Sequence, residues 1–202
     1  MPAGTSSTTT PAPRRRDPDR AERILAAAAR LIASRGFHGV GMAEIGAEAG
    51  IVGSGVYRHF ASKEAILVAL LDRGMTRLEA GAAEALAAAT SDREALSLLV
   101  KDHIAVAIGH RAELAVYHRE VHTLPEEERR SLRRRQRHHV EEWVHALAPL
   151  RSEMADGELR VLVHACVGAI QSTLFFRSGL APDRLAVLLA DVAHGSLGVA
   201  AV

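Results

Sequence analysis

Met42-Ala43-Glu44-Ile45-Gly46-Ala47-Glu48-Ala49-Gly50-Ile51-Val52-Gly53-Ser54-Gly55-Val56-Tyr57-Arg58-His59-Phe60 is the stretch on which the fold turns. Its first half places Ile45 and Ala49 on one side of a short helix and Glu44 and Glu48 on the other, the spacing of a helix resting on a core. Gly50 breaks that helix. A second short helix is expected from about Gly53 to Phe60, with Val56 and Phe60 facing inward. Two short helices joined through a glycine turn, with small residues where they cross, satisfy the geometry of a helix-turn-helix. By spacing alone, an ordinary helical hairpin in an alanine-rich bundle fits as well.

Upstream, Asp17-Pro18-Asp19 reads as a helix start: Asp17 caps, Pro18 suits the first turn and Asp19 favours the positive helix end. Ile24, Leu25, Ala28, Leu31 and Ile32 then make one apolar stripe down to Gly36, and Phe37 is expected to fold back into the core. Downstream, Ser62 caps a long helix that begins at Lys63 and extends toward Ala88. Further helices are predicted over 92–108, 111–123, 125–147, 157–176 and 182–198, separated by Gly109, the 123–125 break, Pro149 and the 179–182 break. No strand and no repeat is expected.

Composition agrees. Of 202 residues, 48% are hydrophobic, enough for a core, and only 3% are aromatic, which favours helices over sheets. Net charge is only +1, yet nine Lys/Arg face five acids between Arg14 and Lys63. That local excess suits a reversible contact with nucleic acid. One cysteine excludes an internal disulfide framework and fits a reducing cytoplasm. No apolar run reaches the roughly 18 residues of a membrane span. Residues 1–16 form a basic-ended tail, expected to be disordered, without a signal-peptide core.

From Ala49 to Leu67 the chain resembles the tetracycline-repressor (TetR) family. The pattern there is Ala-Gly-Val, a small-residue triplet, a Leu-Tyr-x-x-Phe core and Ser-Lys-Glu-x-Leu; here it runs from Ala49-Gly50-Ile51 through Gly53-Ser54-Gly55-Val56-Tyr57 to Ser62-Lys63-Glu64-Ala65-Ile66-Leu67. Ile24, Leu25, Ala27, Ala28, Leu31, Ile32, Gly36, Phe37 and Ile45 extend the match, which covers about 20–80. The resemblance implies that Tyr57 and Lys63 contact phosphates, and that Gly53, Ser54, Gly55 and His59 lie near base edges or backbone. Arg58 is within reach of phosphate or guanine. Three departures stand out: Val40-Gly41 lacks the usual hydroxyl at the start of the second helix, Val52 lacks the usual Ser/Thr cap, and Gly55 stands where Thr is common. With so few side chains to read bases, shape and phosphate contacts are expected to carry much of the selectivity. On this view Gly55→Ala tests whether close backbone approach matters. Arg14-Arg15-Arg16 is either a solvated tail or an arm for phosphates or the minor groove.

The expected fold class is therefore all-α, with a three-helix helix-turn-helix DNA-binding head over 17–63 and a helical ligand-binding and dimerisation body over 64–202. A head this small reads few base pairs, so a homodimer on a two-fold operator in double-stranded DNA is expected. The resemblance implies pairing through the last two helices. One apolar side there holds Val161, Leu162, Ala165, Cys166, Ala169 and Ile170; the other holds Leu185, Leu188, Leu189, Val192 and Leu197. His103, Tyr117, Trp143, His164 and Gln171, polar or aromatic residues set among apolar ones, are the candidates for a small-molecule effector pocket. Glu126 to Glu142 carries Arg129, Arg130, Arg133, Arg134, Arg135 and Arg137 next to His138 and His139. It is either a balanced solvated face or the mouth of an anionic-ligand site, and the stretch from His118-Arg119-Glu120 through Trp143 looks similar to regulators of lipid and acyl-CoA metabolism within the family.

Enzyme chemistry finds little footing. Cys166 sits mid-helix among apolar residues, and His118 and His122 have helical metal-pair spacing without a third ligand. No cofactor, metal or catalytic residue is expected. The reading is a ligand-responsive transcriptional repressor, located in the cytoplasm without a membrane partner. The rival is a helical small-molecule or metal-binding protein with a vestigial head.

Overall fold

The computed structural model describes residues 18–51 and 53–201, and the described residues form α-helices and short 3-10 turns without a strand. The α-helices are α1 (Pro18–Arg35), α2 (Met42–Glu48), α3 (Lys63–Ala88), α4 (Asp92–Gly109), α5 (Arg111–Glu120), α6 (Glu126–Leu147), α7 (Asp156–Gln171) and α8 (Pro182–Leu197). Expected boundaries hold to within a residue or two at most ends. The predicted helices over 111–123 and 157–176 instead close in 3-10 turns, Val121–Thr123 and Ser172–Leu174, a common way to satisfy the last carbonyls. The tail, its arginines, the Asp17 cap and Val52 lie outside the described residues.

The second helix of the motif differs more. Gly53–Arg58 is a 3-10 helix, after which the amides of His59 and Phe60 both donate to the Val56 carbonyl, at 2.9 and 3.0 Å. Two glycines in six residues lower helix propensity, so packing decides the local geometry. Gly50, at φ +68°, turns the chain. Ile51 N then donates to Gly46 O at 2.8 Å. A Cβ on Gly46 would come within 2.9 Å of Val56 Cγ2 and 3.1 Å of the Ile51 carbonyl. The turn closes only because α2 is bare at that point.

Around this turn, Ile24 and Ile32 of α1, Phe37, Ile45 of α2, Val56, and Ile66 and Leu67 of α3 make the core of the head. Arg30–Glu48 and Arg35–Glu44 pairs strap α2 to α1. Exposed as they are, they orient more than they stabilise. At the start of α2 the missing hydroxyl is replaced from within: the Glu44 carboxylate accepts from Gly41 N at 2.8 Å. Ser62 Oγ caps α3 by accepting from Ala65 N at 3.2 Å.

α3 continues out of the head into the body, where α4, α5 and α6 pack on it and α7 and α8 pair behind α4. α5 lies along α1. Arg73 of α3 links Glu22 of α1 and Glu113 of α5, at 2.5 and 2.7 Å, and Arg77 joins at Glu113. At the other end of α5, the buried Glu120 carboxylate accepts from Phe37 N at 3.1 Å, and Arg119 donates to Ala33 O at 2.8 Å. Arg111, the first residue of α5, donates to the carbonyls of Thr173, Leu174 and Phe176.

Gly46→Ala is expected to lower the unfolding free energy by about 1–3 kcal/mol, because Val56 and the Ile51 carbonyl must give way. Urea titration against Gly74→Ala is the check. The added Cβ at Gly74 meets nothing within 4 Å, so that helical substitution should be neutral or stabilising by up to about 1 kcal/mol.

Candidate functional site

Two regions gather the residues singled out above: the face of the motif and a polar cluster inside the body. On the motif face, Ser54, Tyr57 and Arg58 are exposed, and Gly55 and His59 are half-buried. Tyr57, at 59% exposure, presents its ring to solvent in a chain otherwise poor in aromatics. Ser54, Gly55 and Arg58, with Gly50 and Ile51, line a concavity of about 330 Å³ that Arg20 and Arg23 of α1 complete. Arg23 and Arg58 make no ion pair among the described residues. The two α1 arginines entered the sequence reading only as charge. Arg23 lies on the side of α1 away from the apolar stripe, and Arg20 at the stripe's edge one turn before Ile24.

Lys63 and Gly55 also serve the packing of the motif itself. The Lys63 ammonium donates to Phe37 O at 2.8 Å and Val40 O at 2.9 Å, and lies 4.4 Å from the Phe37 ring centroid. Two of its three protons thus close the α1–α2 turn. At Gly55 a Cβ would come within 2.5 Å of Ile51 Cγ2. Gly55→Ala therefore disturbs the turn itself and is not a clean probe of backbone approach to DNA.

In the body, three of the five expected pocket residues come together. His103 Nε2 accepts from Gln171 Nε2 at 3.1 Å, and Gln171 Oε1 accepts from His118 Nε2 at 2.9 Å. That places the His103 proton on Nδ1, which has no partner. The His139 ring stacks on His103 at 5.9 Å, and Trp143 meets His103 edge-on at 5.6 Å. Trp143 Nε1 and both His139 nitrogens are also unpartnered, although His139 Nδ1 lies 3.4 Å from Glu142 Oε2. Buried polar atoms in folded proteins are nearly all hydrogen-bonded, so the unused donors of His103 and Trp143, with Glu142 Oε2 also unpartnered beside His139, set this cluster apart from the rest of the core.

His139 stands within the arginine-rich run, yet it keeps helical phase with Leu132, Trp143 and Ala146, all buried. The other two expected residues stand apart. Tyr117 is half-buried and donates to Gln136 Oε1 at 3.4 Å, while His164 is exposed on α7. A cavity of about 880 Å³ opens where α3 meets α4 and shares Glu142 with the cluster; His138 and His145 line it too.

The arginine-rich helix divides. Arg129 and Arg130 pair with Glu126, and Arg135 pairs with Asp72 and Glu79. Arg133, Arg134 and Arg137 are exposed and make no ion pair among the described residues. On the last two helices, Cys166, Ile170, Leu189 and Leu197 belong to the chain's own core; Val161, Ala165 and Val192 are exposed, and Leu162, Ala169, Leu185 and Leu188 are half-buried. Burial pushes the Cys166 thiol up to about 11, which keeps it protonated and inert. Among the described residues no group of three or more His, Cys, Asp or Glu is placed to hold a metal ion, and no helix is long and apolar enough to cross a membrane.

Burial, reinforced by the nearby His139 and His118 charges, pushes His103 from 6.5 down to about 3, and burial lowers His139 and His118 as well. The unfolded chain therefore takes up a proton at His103 that the folded chain refuses. Stability is full above 6.5 and falls as pH drops from 6.5 toward 3. Melting temperature followed across that window should fall less steeply in His103→Leu than in the parent.

Residues 24–70 match the family described as bacterial regulatory proteins, tetR family, and residues 89–174 match the tetracyclin repressor-like C-terminal domain. The HTH-type transcriptional activator FasR of Mycolicibacterium smegmatis is 35% identical over 83 residues, which span 41% of this chain and 38% of that protein. A TetR-family transcriptional regulator from Bordetella parapertussis superimposes with a TM-score of 0.77 at 24% identity, over 86% of this chain and 93% of its own. AibR, solved in complex with isovaleryl coenzyme A and operator DNA, superimposes with a TM-score of 0.73 at 24% identity, over 86% and 97%. At those identities the structural likeness speaks for the fold alone. The two family matches take in both head and body, and with them the chain belongs to the TetR family of bacterial regulatory proteins, a family of transcriptional regulators rather than of enzymes.

Proposed function

We propose that this regulator is a cytoplasmic homodimer that holds a two-fold operator until a small hydrophobic or acyl-CoA-like effector enters its body. The observation that carries the reading is the course of α5. His118 ends the hydrogen-bonded chain from His103 through Gln171, and the next two residues, Arg119 and Glu120, hold the turn after α1. An acceptor supplied to the unpartnered ring nitrogens rearranges that chain. Because α5 holds α1, the change reaches the head. An effector acts in this way only to the extent that it binds one arrangement better than the other.

The motif face supplies the DNA side of the proposal. Arg20, Arg23 and Arg58 frame a concavity beside Ser54 and Gly55, with Gly53 at the start of the same segment and Tyr57 and His59 on its later turn. In this arrangement Arg23, Arg58 and the Tyr57 hydroxyl take phosphates. Lys63 acts indirectly, by holding the turn. For the homodimer, support comes from exposed Val161, Val187 and Val192 beside small Ala165, Gly168 and Gly195 on α7 and α8. For the effector, AibR binds isovaleryl coenzyme A. Here Arg133, Arg134 and Arg137 would take the phosphates, and the acyl group would reach the cluster of His103, Trp143 and Gln171.

The sign of regulation has a second reading. FasR is named an activator, and a promoter fusion with and without this chain separates activation from repression.

Anisotropy titration against a duplex from the chain's own upstream region should give a specific, salt-sensitive complex. Arg23→Ala and Arg58→Ala should each reduce the salt slope by about 1. Absence of any specific complex overturns the reading. Isovaleryl coenzyme A or a longer acyl-CoA should release the DNA. In Glu120→Gln the effector should still bind, with release substantially weakened.

A further inference from the structure

A groove of about 550 Å³ runs between α4 and α8, on neither the motif face nor the buried histidine cluster. Its size falls within the roughly 300–1,000 Å³ of small-molecule sites. Its walls are apolar along most of their length, through Leu98, Ile104, Ala186 and Ala190. Four polar side chains interrupt them, Lys101, Ser97, His194 and Glu94. Lys101 is exposed at the rim and makes no ion pair among the described residues. Ser97 Oγ and His194 Nδ1 are buried and have no hydrogen-bond partner, and His194 as a whole is 8% exposed.

The arrangement has a direction. Arg93, in the first turn of α4, donates to Ala200 O just past α8. The two helices therefore run antiparallel, and His194 comes alongside Ser97 and Lys101. Ala190 and Ala186 then follow toward Ile104. One end of the groove is a cation with two unused polar groups, and the other is a dry, narrow trough made by alanines. The one carboxylate on the lining, Glu94, is committed elsewhere: its Oε2 accepts from both Thr90 N and Thr90 Oγ1.

We propose that this groove is a second small-molecule site, for an amphiphilic carboxylate. The carboxylate pairs with Lys101 and accepts from Ser97 and His194 after a small rotation of those side chains, and an unbranched hydrocarbon tail lies between Ile104, Ala186 and Ala190. A charged head with complementary donors fixes the orientation, while the alanines leave room for a chain and little more. The site is separate from the effector cluster, so its occupation does not depend on the acyl-CoA reading.

Sodium octanoate titrated into the full chain by calorimetry tests the assignment. The expected result is saturable binding that Lys101→Glu weakens about tenfold or more and Ala190→Phe abolishes, with circular dichroism of both variants unchanged. His103→Leu should leave octanoate binding as it was, and 1-octanol should bind about tenfold more weakly than octanoate. No octanoate binding, binding indifferent to Lys101→Glu, equal affinity for 1-octanol, or binding lost in His103→Leu would each overturn it.

Discussion

Glu113 and Glu120, two helical turns apart on α5, bind that helix to both ends of α1, and the placement of the head on the body follows from them. Glu113 acts through Arg73, which also holds Glu22; Glu120 acts directly on the amide of Phe37. Both carboxylates are largely shielded from water. Breaking one such contact leaves a charge or an amide without its partner, a cost well above that of a surface pair. The long helix α3 gives the head a stalk, but a stalk alone leaves it free to turn. The parallel run of α5 against α1 removes that freedom. Because Arg111 anchors the same helix to the α7–α8 connection, α5 is tied at its start, middle and end.

The body core has an uneven character as a result of where its polar atoms sit. Most of it is close-packed Leu, Ile, Val and Ala, which hold one arrangement well. At His103, His139 and Trp143 the packing is equally tight, but the hydrogen bonding is incomplete. A low-dielectric interior makes each unused donor expensive, and equally makes any acceptor placed there effective. That cluster is where the buried core leaves its hydrogen bonding incomplete. It lies one amide side chain, Gln171, away from the helix that holds the head.

How much of this could be read in advance depended on whether a residue's partner lay close in sequence. Helix limits were legible because caps, glycines and apolar phase are local: Ser62 caps α3 and Gly50 turns the chain where expected. The recognition segment became a 3-10 helix because two glycines left its geometry to be settled by Ile51 and Gly46, across the turn. Lys63 carried a familiar motif signature, yet its ammonium points at two carbonyls from the α1–α2 turn, which no local pattern announces. Nothing beside Glu120 in the chain marks its role, since its partner Phe37 is far away along it. His164 was expected inside because it sits among apolar neighbours on α7, whose outward side was set only when α8 packed against it. His139 had the opposite fate. Its apolar phase was legible, but the surrounding arginines hid it.

Trp143 gives the body a property of another kind. It is the chain's one tryptophan, fully buried, with two imidazoles in T-shaped contact with its ring. Its indole therefore emits from a buried site, in ring contact with two imidazoles of the cluster that Gln171 links to α5. Any change in the hydration, protonation or occupancy of that cluster alters the emission of a single fluorophore. The molecule carries its own optical gauge of the interior, with no second tryptophan to blur the signal and no label to attach.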